Sequence, residues 1–394
     1  MAESNHIERL HTHDIELGVS DVLQKHITRH VVPPKPVSER KLRFEHSRPR
    51  ILRECMAEAT GVFFYVFPGI ASVASFTLNI ESSTGLPTTV FGSLFQIGWA
   101  FAIGIAFAII TCAPTSGGHF NPAITICFAI WQGFPWKKVP HYIFSQIFGA
   151  FIAGLLLMGM YWPEISALKQ ADIAAEGTAV FNGGAASILC VFPNANQTNQ
   201  GFLFLQEFFV DSFIGIVIWA CLDPANPFVS PTSAPLTIGM AYGVMVWGFA
   251  ANTISTNLAR DLGTRIVAAI FFGPRAFTAS NGYAWISILV NIPATIFATA
   301  FYEFLMRDSL ARISSGHAAH AEGEEGLVRH LSRVVGGGKG DARNGLDAWK
   351  SREKETERGY VNAAATTTGE SMATKTNVAS ADGDARVRGF FSKE

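Results

Sequence analysis

The middle of this chain has very little charge. Lys and Arg number 30 and Asp and Glu 31 among 394 residues, yet residues 54–306 hold only 17 of them. A soluble globular domain carries about 25% charged residues, so an ordinary soluble enzyme is excluded for this stretch. The net charge of −1 leaves no basic field for a nucleic-acid partner. Cysteine is scarce too, and the 5 cysteines form no Cys-x-x-Cys pair. Neither a zinc site nor a disulfide framework is indicated, and no metal or cofactor is expected. The charged, His-rich N-terminus lacks an apolar h-region, which speaks against a cleaved signal peptide. No nucleophile–base set or His/Asp/Glu cluster occurs, so no enzyme is expected.

What is present is apolar. Hydrophobic residues make up 49% of the chain, and 32 are Phe, which a bilayer accepts without cost. A membrane span needs about 20 apolar residues. Six stretches qualify, near Cys55–Leu78, Phe91–Cys112, His141–Trp162, Leu203–Leu222, Leu236–Ala251 and Ala284–Met306. Two more, Asn121–Trp131 and Asn257–Phe272, are apolar but too short, and each opens on Asn, a good helix N-cap. Half-length helices at membrane depth are tolerated only where they are buried in protein or line a water-filled cavity.

Lys and Arg crowd the segment before the first span, the 132–140 connection and the stretch after Met306. The positive-inside rule therefore expects both termini in the cytoplasm and residues 163–201 outside. Arg260, Arg265 and Arg275 break the rule and are read as pore features. Asn196-Gln197-Thr198 in the outer connection is a sequon, an accessible glycosylation site or a chance tripeptide.

The chain repeats itself. Glu58 and Glu207 each open a span, and each is followed by apolar chain and then a short helix starting Asn-X-Ala. Three spans separate the halves, so the second lies inverted in the membrane, an arrangement that puts the binding path at the repeat interface. The two Asn-X-Ala segments are Asn121-Pro122-Ala123 and Asn257-Leu258-Ala259. If each Asn oxygen caps its half-helix, the NH₂ donors are left for the path, joined by the positive ends of both helix dipoles. Such an arrangement repels cations and hinders a proton wire. Arg260 follows the second segment directly, and a guanidinium at membrane depth marks a pathway.

With the Glu pair, the Ser116-to-Thr125 run and the Asn257-to-Gly263 run, the sequence resembles the major intrinsic proteins, the aquaporin and aquaglyceroporin channels, over about residues 50–307. The long tails and the glycerol-type motif are similar to those of fungal members. The resemblance implies an all-α membrane protein with six transmembrane helices and two re-entrant half-helices in an inverted repeat. It implies a homotetramer, a pore in each protomer, and most readily a plasma-membrane location. It places the narrowest constriction at Arg260, with Phe101, Met245 and Ile254 as the other filter positions. Asp261 after the Arg implies the glycerol-conducting subgroup, and Arg265, one turn on, is a candidate partner for it. Leu258 stands where the family has Pro. Glu58 and Glu207 are read either as solute contacts or, as the resemblance suggests, as buried acceptors for the re-entrant loops. His119 is either a satisfied structural residue or a pH sensor facing a vestibule.

The expected organisation is a largely disordered cytoplasmic tail over 1–50, a channel domain over 51–307 and a disordered cytoplasmic tail over 308–394. The expected partners are water, glycerol and similar neutral solutes, and membrane lipid. The expected function is a passive channel for water and small uncharged solutes, glycerol first, that excludes ions and protons. A channel mainly for another small neutral solute, such as hydrogen peroxide, is the alternative within this fold, and an ion-coupled secondary transporter the alternative outside it. Ser332, three after Arg329, has a kinase-site pattern, and six N-terminal His offer a protonation gate.

Overall fold

The computed structural model describes residues 36–80, 92–314, 320–335 and 343. Two compact units are distinguished, Met1–Arg53 and Glu54–Glu394. In the first, α1 (Glu39–Ser47) is an exposed helix capped by Ser38, whose side chain accepts from the Lys41 N–H. It replaces the expected disorder over that part of the tail, while residues 1–35 lie outside the described residues.

From Arg50 onward the described chain is helical, the first of these helices beginning at the end of the first unit. The helices in chain order are α2 (Arg50–Ile80), α3 (Leu94–Ser116), α4 (Pro122–Trp131), α5 (Val139–Glu176), α6 (Gln200–Leu222), α7 (Ala234–Phe249), α8 (Leu258–Phe272), α9 (Arg275–Gly282), α10 (Ala284–Leu289) and α11 (Asn291–Phe301). The last runs on as a π-helical turn, Tyr302–Met306. Among the described residues, five segments are long and apolar enough to cross a membrane: Arg50–Leu78, Leu94–Ser116, Trp136–Glu176, Gln200–Leu222 and Ala284–Met306. The expected fifth span is α7, of 16 residues, and the two half-length segments are α4 and α8. Large apolar side chains such as Phe107, Phe144, Phe209 and Phe304 are exposed on the spans. In water such a surface would be an aggregation liability, whereas a bilayer accepts it.

The third span outruns its expected end. Pro163 was to begin a loop, but α5 continues to Glu176 after a kink at Tyr161. Proline has no N–H to give the preceding turn. It is compatible with the first turn of a new helical segment, so the chain bends and goes on. A further correction concerns the C-terminal tail. Two stretches within the expected disorder are helical, α12 (Ser309–Ser314) and α13 (Gly323–Val335). Leu327, Val328 and Leu331 recur on one face of α13 and pack with Ile313, enough apolar contact to order both. Ser332 lies on α13 and its hydroxyl donates to the Arg329 carbonyl.

Candidate functional site

The two re-entrant loops are built on the same plan. Glu58 of α2 is fully buried, and its carboxylate accepts from the backbone N–H groups of His119 (3.0 Å) and Phe120 (2.7 Å) and from the Gln146 amide (2.7 Å). Glu207 of α6, also fully buried, accepts from the N–H groups of Ser255 (2.8 Å) and Thr256 (2.6 Å). Each Glu thus satisfies two backbone donors that the loop could not otherwise pair at membrane depth. Phe120 (φ 50) and Thr256 (φ 63) are left-handed, costly for a residue with a Cβ and more so for a β-branched one. The carboxylate bonds hold that strain, and the strained residue turns the next one, Asn, into its cap position.

Asn121 caps α4 through its oxygen, which accepts from Ala123 N–H at 2.9 Å. Asn257 caps α8, accepting from Arg260 N–H at 3.1 Å. The amide groups are not wholly free. Asn121 Nδ2 donates to the Thr256 carbonyl (3.2 Å) and Asn257 Nδ2 to the Phe120 carbonyl (2.9 Å). These crossed bonds lock the half-helices N-terminus to N-terminus. An amide nitrogen carries two hydrogens, and the crossed bonds use one on each Asn. Pro122 occupies the first turn of α4, and Leu258 does so in α8 without loss of the helix or of its cap.

Two cavities flank this centre. The first, about 180 Å³, is lined by Phe101, Val246, Ile254, Cys190 and Arg260 among others. The second, about 160 Å³, is lined by His119, Asn121, Asn257, Phe128 and Ile218 among others. Arg260 is 6% exposed, and its guanidinium lies 5.6 Å from the Phe101 ring centre. Ile254 stands beside it in the loop before Asn257. Met245, the expected filter residue of α7, does not line either cavity; it is packed in the core, and Tyr242 and Val246 take the lining positions. Met245 lies about 100° round the helix from Val246, and spacing from Asn257 alone does not determine that rotation.

Asp261 is fully buried and lines neither cavity, and one of its oxygens lies 3.4 Å from Arg260 Nη1. Its carboxylate pairs with Arg265 Nε at 2.6 Å, accepts from Ser287 Oγ at 3.0 Å and accepts from the Val191 N–H at 3.1 Å. Arg265 donates onward to the Val191 carbonyl (2.6 Å) and the Ala276 carbonyl (2.7 Å). The pair ties the 185–192 segment and α9 to the start of α8, and so walls the first cavity. His119 lines the second cavity, stacks on Phe128 at 4.4 Å between ring centres and lies 3.2 Å from Thr125 Oγ1. Asn196 is exposed in the loop before α6. Among the described residues, no group of three or more His, Cys, Asp and Glu is placed to hold a metal ion.

Sequence reading missed Tyr65, Ile105 and Tyr242, which line both cavities. A tyrosine on an otherwise apolar helix is the one local signal that marks two of them.

Apolar spans that bury two capped half-helices meeting head to head, with a cavity on each side, define a transmembrane channel. The comparisons agree: the chain matches the major intrinsic protein family over residues 45–302 and belongs to it. It is 43% identical over 271 residues to Aquaporin-3 of Laccaria bicolor, covering 67% of this chain and 79% of that one. It is 32% identical over 257 residues to Aquaglyceroporin-2 of Rhizophagus irregularis, covering 64% and 77%. In fold it resembles the aquaglyceroporin from Plasmodium falciparum, with a TM-score of 0.55 at 23% identity, over 67% of this chain and 99% of that one. The protein is an integral, multi-pass passive channel for water and small solutes, from a family of channels rather than enzymes.

Proposed function

We propose that this channel conducts glycerol together with water and excludes ions and protons. The observation that carries the reading is the makeup of the first cavity, where Phe101, Ile254 and Val246 form an apolar wall near the Arg260 guanidinium and no histidine is among the lining residues. A polyol has a carbon edge and a hydroxyl edge. The first lies on Phe101 and Ile254 while Arg260 donates to the oxygens of the second. The remaining N–H of each Asn continues the line of donors, replacing hydrogen bonds that the solute leaves in water. Arg260 and the positive ends of α4 and α8 repel cations. Asp261 supports this site as a tether for the walls. The curated relatives include proteins named aquaglyceroporins.

In this reading Phe101, Ile254, Arg260 and the α7 residues Tyr242 and Val246 act as filter, and Asn121 and Asn257 as central donors. The distribution of Lys and Arg supports placing the first cavity outside and both tails in the cytoplasm. Four such protomers in a plasma membrane complete the proposal, with 51–307 as the channel and the flanking segments as tails. The test is stopped-flow light scattering on proteoliposomes of the full chain. An impermeant osmolyte should give fast shrinkage and a glycerol gradient fast re-swelling, both unchanged when an ionophore collapses the proton gradient. Water flux without glycerol flux overturns the glycerol assignment. Glycerol uptake that needs the proton gradient overturns the passive one.

A further inference from the structure

The two halves hold their loops alike but not identically. In the first, both oxygens of Glu58 are taken: Oε1 accepts from the His119 N–H, and Oε2 from the Phe120 N–H and the Gln146 amide. In the second, Oε1 of Glu207 takes both loop N–H groups, and Oε2 has no donor among the described residues. Four residues on, α6 carries Asp211, where α2 carries Val62 four residues after Glu58. Asp211 is 1% exposed, and neither of its oxygens is given a hydrogen among the described residues. Its polar neighbour on α11 is Asn291. The Asn291 nitrogen is already committed to the Thr256 carbonyl (2.9 Å) and the Thr295 hydroxyl (3.4 Å).

Residues four apart on a helix lie one above the other, and the Cα–Cβ bond of the later one leans back toward the earlier. Asp211 is therefore the side chain placed to reach Glu207 Oε2. Two charged carboxylates in that arrangement, buried and short of donors, would leave uncompensated charge in the interior, which a folded protein tolerates poorly. An ionised carboxylate can only accept, whereas a protonated one carries an O–H donor. A single hydrogen on Asp211 resolves both defects: it removes one charge and supplies the bond that Oε2 lacks. Glu207 is the member that keeps its charge. Its Oε1 already accepts two backbone N–H groups and Arg260 is near it, and Asp211 has neither advantage.

We propose that Asp211 is a neutral carboxylic acid that donates to Glu207 Oε2 and so positions the second re-entrant loop, as the Gln146 amide does for Glu58 in the first. The inference rests on reading the two loops as the conducting path, and not on which solute passes. Glu207 holds the left-handed Thr256, whose carbonyl accepts from Asn121 and from Asn291 and whose neighbour is Asn257. A Glu207 carboxylate free to swing lets that turn relax, and both central asparagines move with it. Asp211 lines neither cavity, so it acts through Glu207 and is a positioning residue.

The experiment combines water flux in proteoliposomes of the full chain with infrared spectroscopy of the same samples. The carbonyl stretch of a protonated carboxyl stands apart from carboxylate bands, and isotopic labelling of Asp alone picks out its Asp component. Wild type should show an Asp component that Asp211→Asn lacks. Asp211→Asn retains a donor, now an amide, and should keep water flux within about twofold. Asp211→Leu, of similar size with no donor, should lower it by about tenfold. Size-exclusion profiles and helical circular dichroism equal to wild type report a folded channel. If Asp211→Leu does not fold, the infrared comparison of wild type with Asp211→Asn decides by itself. An Asp component that survives in Asp211→Asn would overturn the proposal, as would its absence from wild type, where a bound cation or ordered water would then fill the cluster. Wild-type flux through a folded Asp211→Leu would remove the positioning role. A wild type that passes water but no glycerol sinks the glycerol reading and leaves this one, which is read on water, standing.

Discussion

Asp261 shows how one side chain serves a site without touching what passes through it. It is fully buried, and its partner Arg265 is 1% exposed. Removing one member of such a pair leaves a buried charge uncompensated, which costs about 3–5 kcal/mol. Asp261→Asn keeps the shape and loses the charge. It should therefore lower the thermal unfolding midpoint of the detergent-solubilised channel sharply, while Asp261→Glu retains part of it. A midpoint equal to wild type would mean that the tether is ornamental. Leu258 makes the opposite case. The first N–H of a helix has no intrahelical partner, and Asn257 is extended (φ −157, ψ 118), as a residue before proline must be. Leu258→Pro should therefore keep water flux and change stability by no more than about 1 kcal/mol. Lost flux would show that the leucine side chain, 8% exposed, positions Asn257 by packing.

At the scale of elements, the end of the last span is fastened by charge. Asp223, just past α6, pairs with Arg307 Nε at 3.2 Å and with Arg312 Nε of α12 at 3.3 Å, and accepts from the Tyr302 hydroxyl at 3.2 Å. Arg307 also pairs with Glu303. Burial pushes the Asp223 carboxyl up, but the Ala225 N–H and the Arg307 and Arg312 guanidinium groups outweigh it and hold the group below its ordinary range. A carboxyl depressed in the folded state contributes stability above its unfolded pKa of about 3.9, and loses it as pH falls through the folded value. The fastening is thus complete at neutral pH and fails only in strong acid. Asp223→Asn should expose α12 to proteolysis at pH 7, at a cost of about 2 kcal/mol for the lost charged hydrogen bonds. Wild type and variant should converge once the pH has fallen through that depressed folded value. Equal cleavage rates at pH 7 would remove the latch.

For the whole molecule, the proposed placement of the tails rests on the Lys and Arg distribution and can be tested directly. In intact cells, a Cys introduced at Asn196 should react with a membrane-impermeant maleimide, and one introduced at Ser332 should react only after permeabilisation. Labelling of both in intact cells would reverse the orientation or remove it. Exposed Phe on several spans fits lipid or neighbouring protomers, and the mass of the solubilised particle separates a tetramer from a lone 42.7 kDa chain.

Much of this was legible along the chain because the determinants are local. A charge-poor core, six apolar stretches, and two Asn caps with a buried Glu ahead of each are written in runs and fixed spacings. Phe101 and Ile254 lie where counting from Asn121 and Asn257 puts them, one held by the α3 register and the other three residues from a rigid cap. Met245 does not, because the rotation of α7 is set by Gly239 against Ala102 on another helix, a contact with no trace in the spacing. The helical stretches in the tails escaped for a related reason, since Leu327 and Val328 order α13 only by finding Ile313. The sequence by itself determined the class of protein, the two half-helices and the presence of an arginine beside the path. Only the tertiary structure decided which α7 residues face the cavity, that the Asn amides cross-link the loops, and that Tyr65, Ile105 and Tyr242 line both cavities. Each of those depends on how closely two backbones approach, and that distance is fixed by packing between residues far apart in the chain.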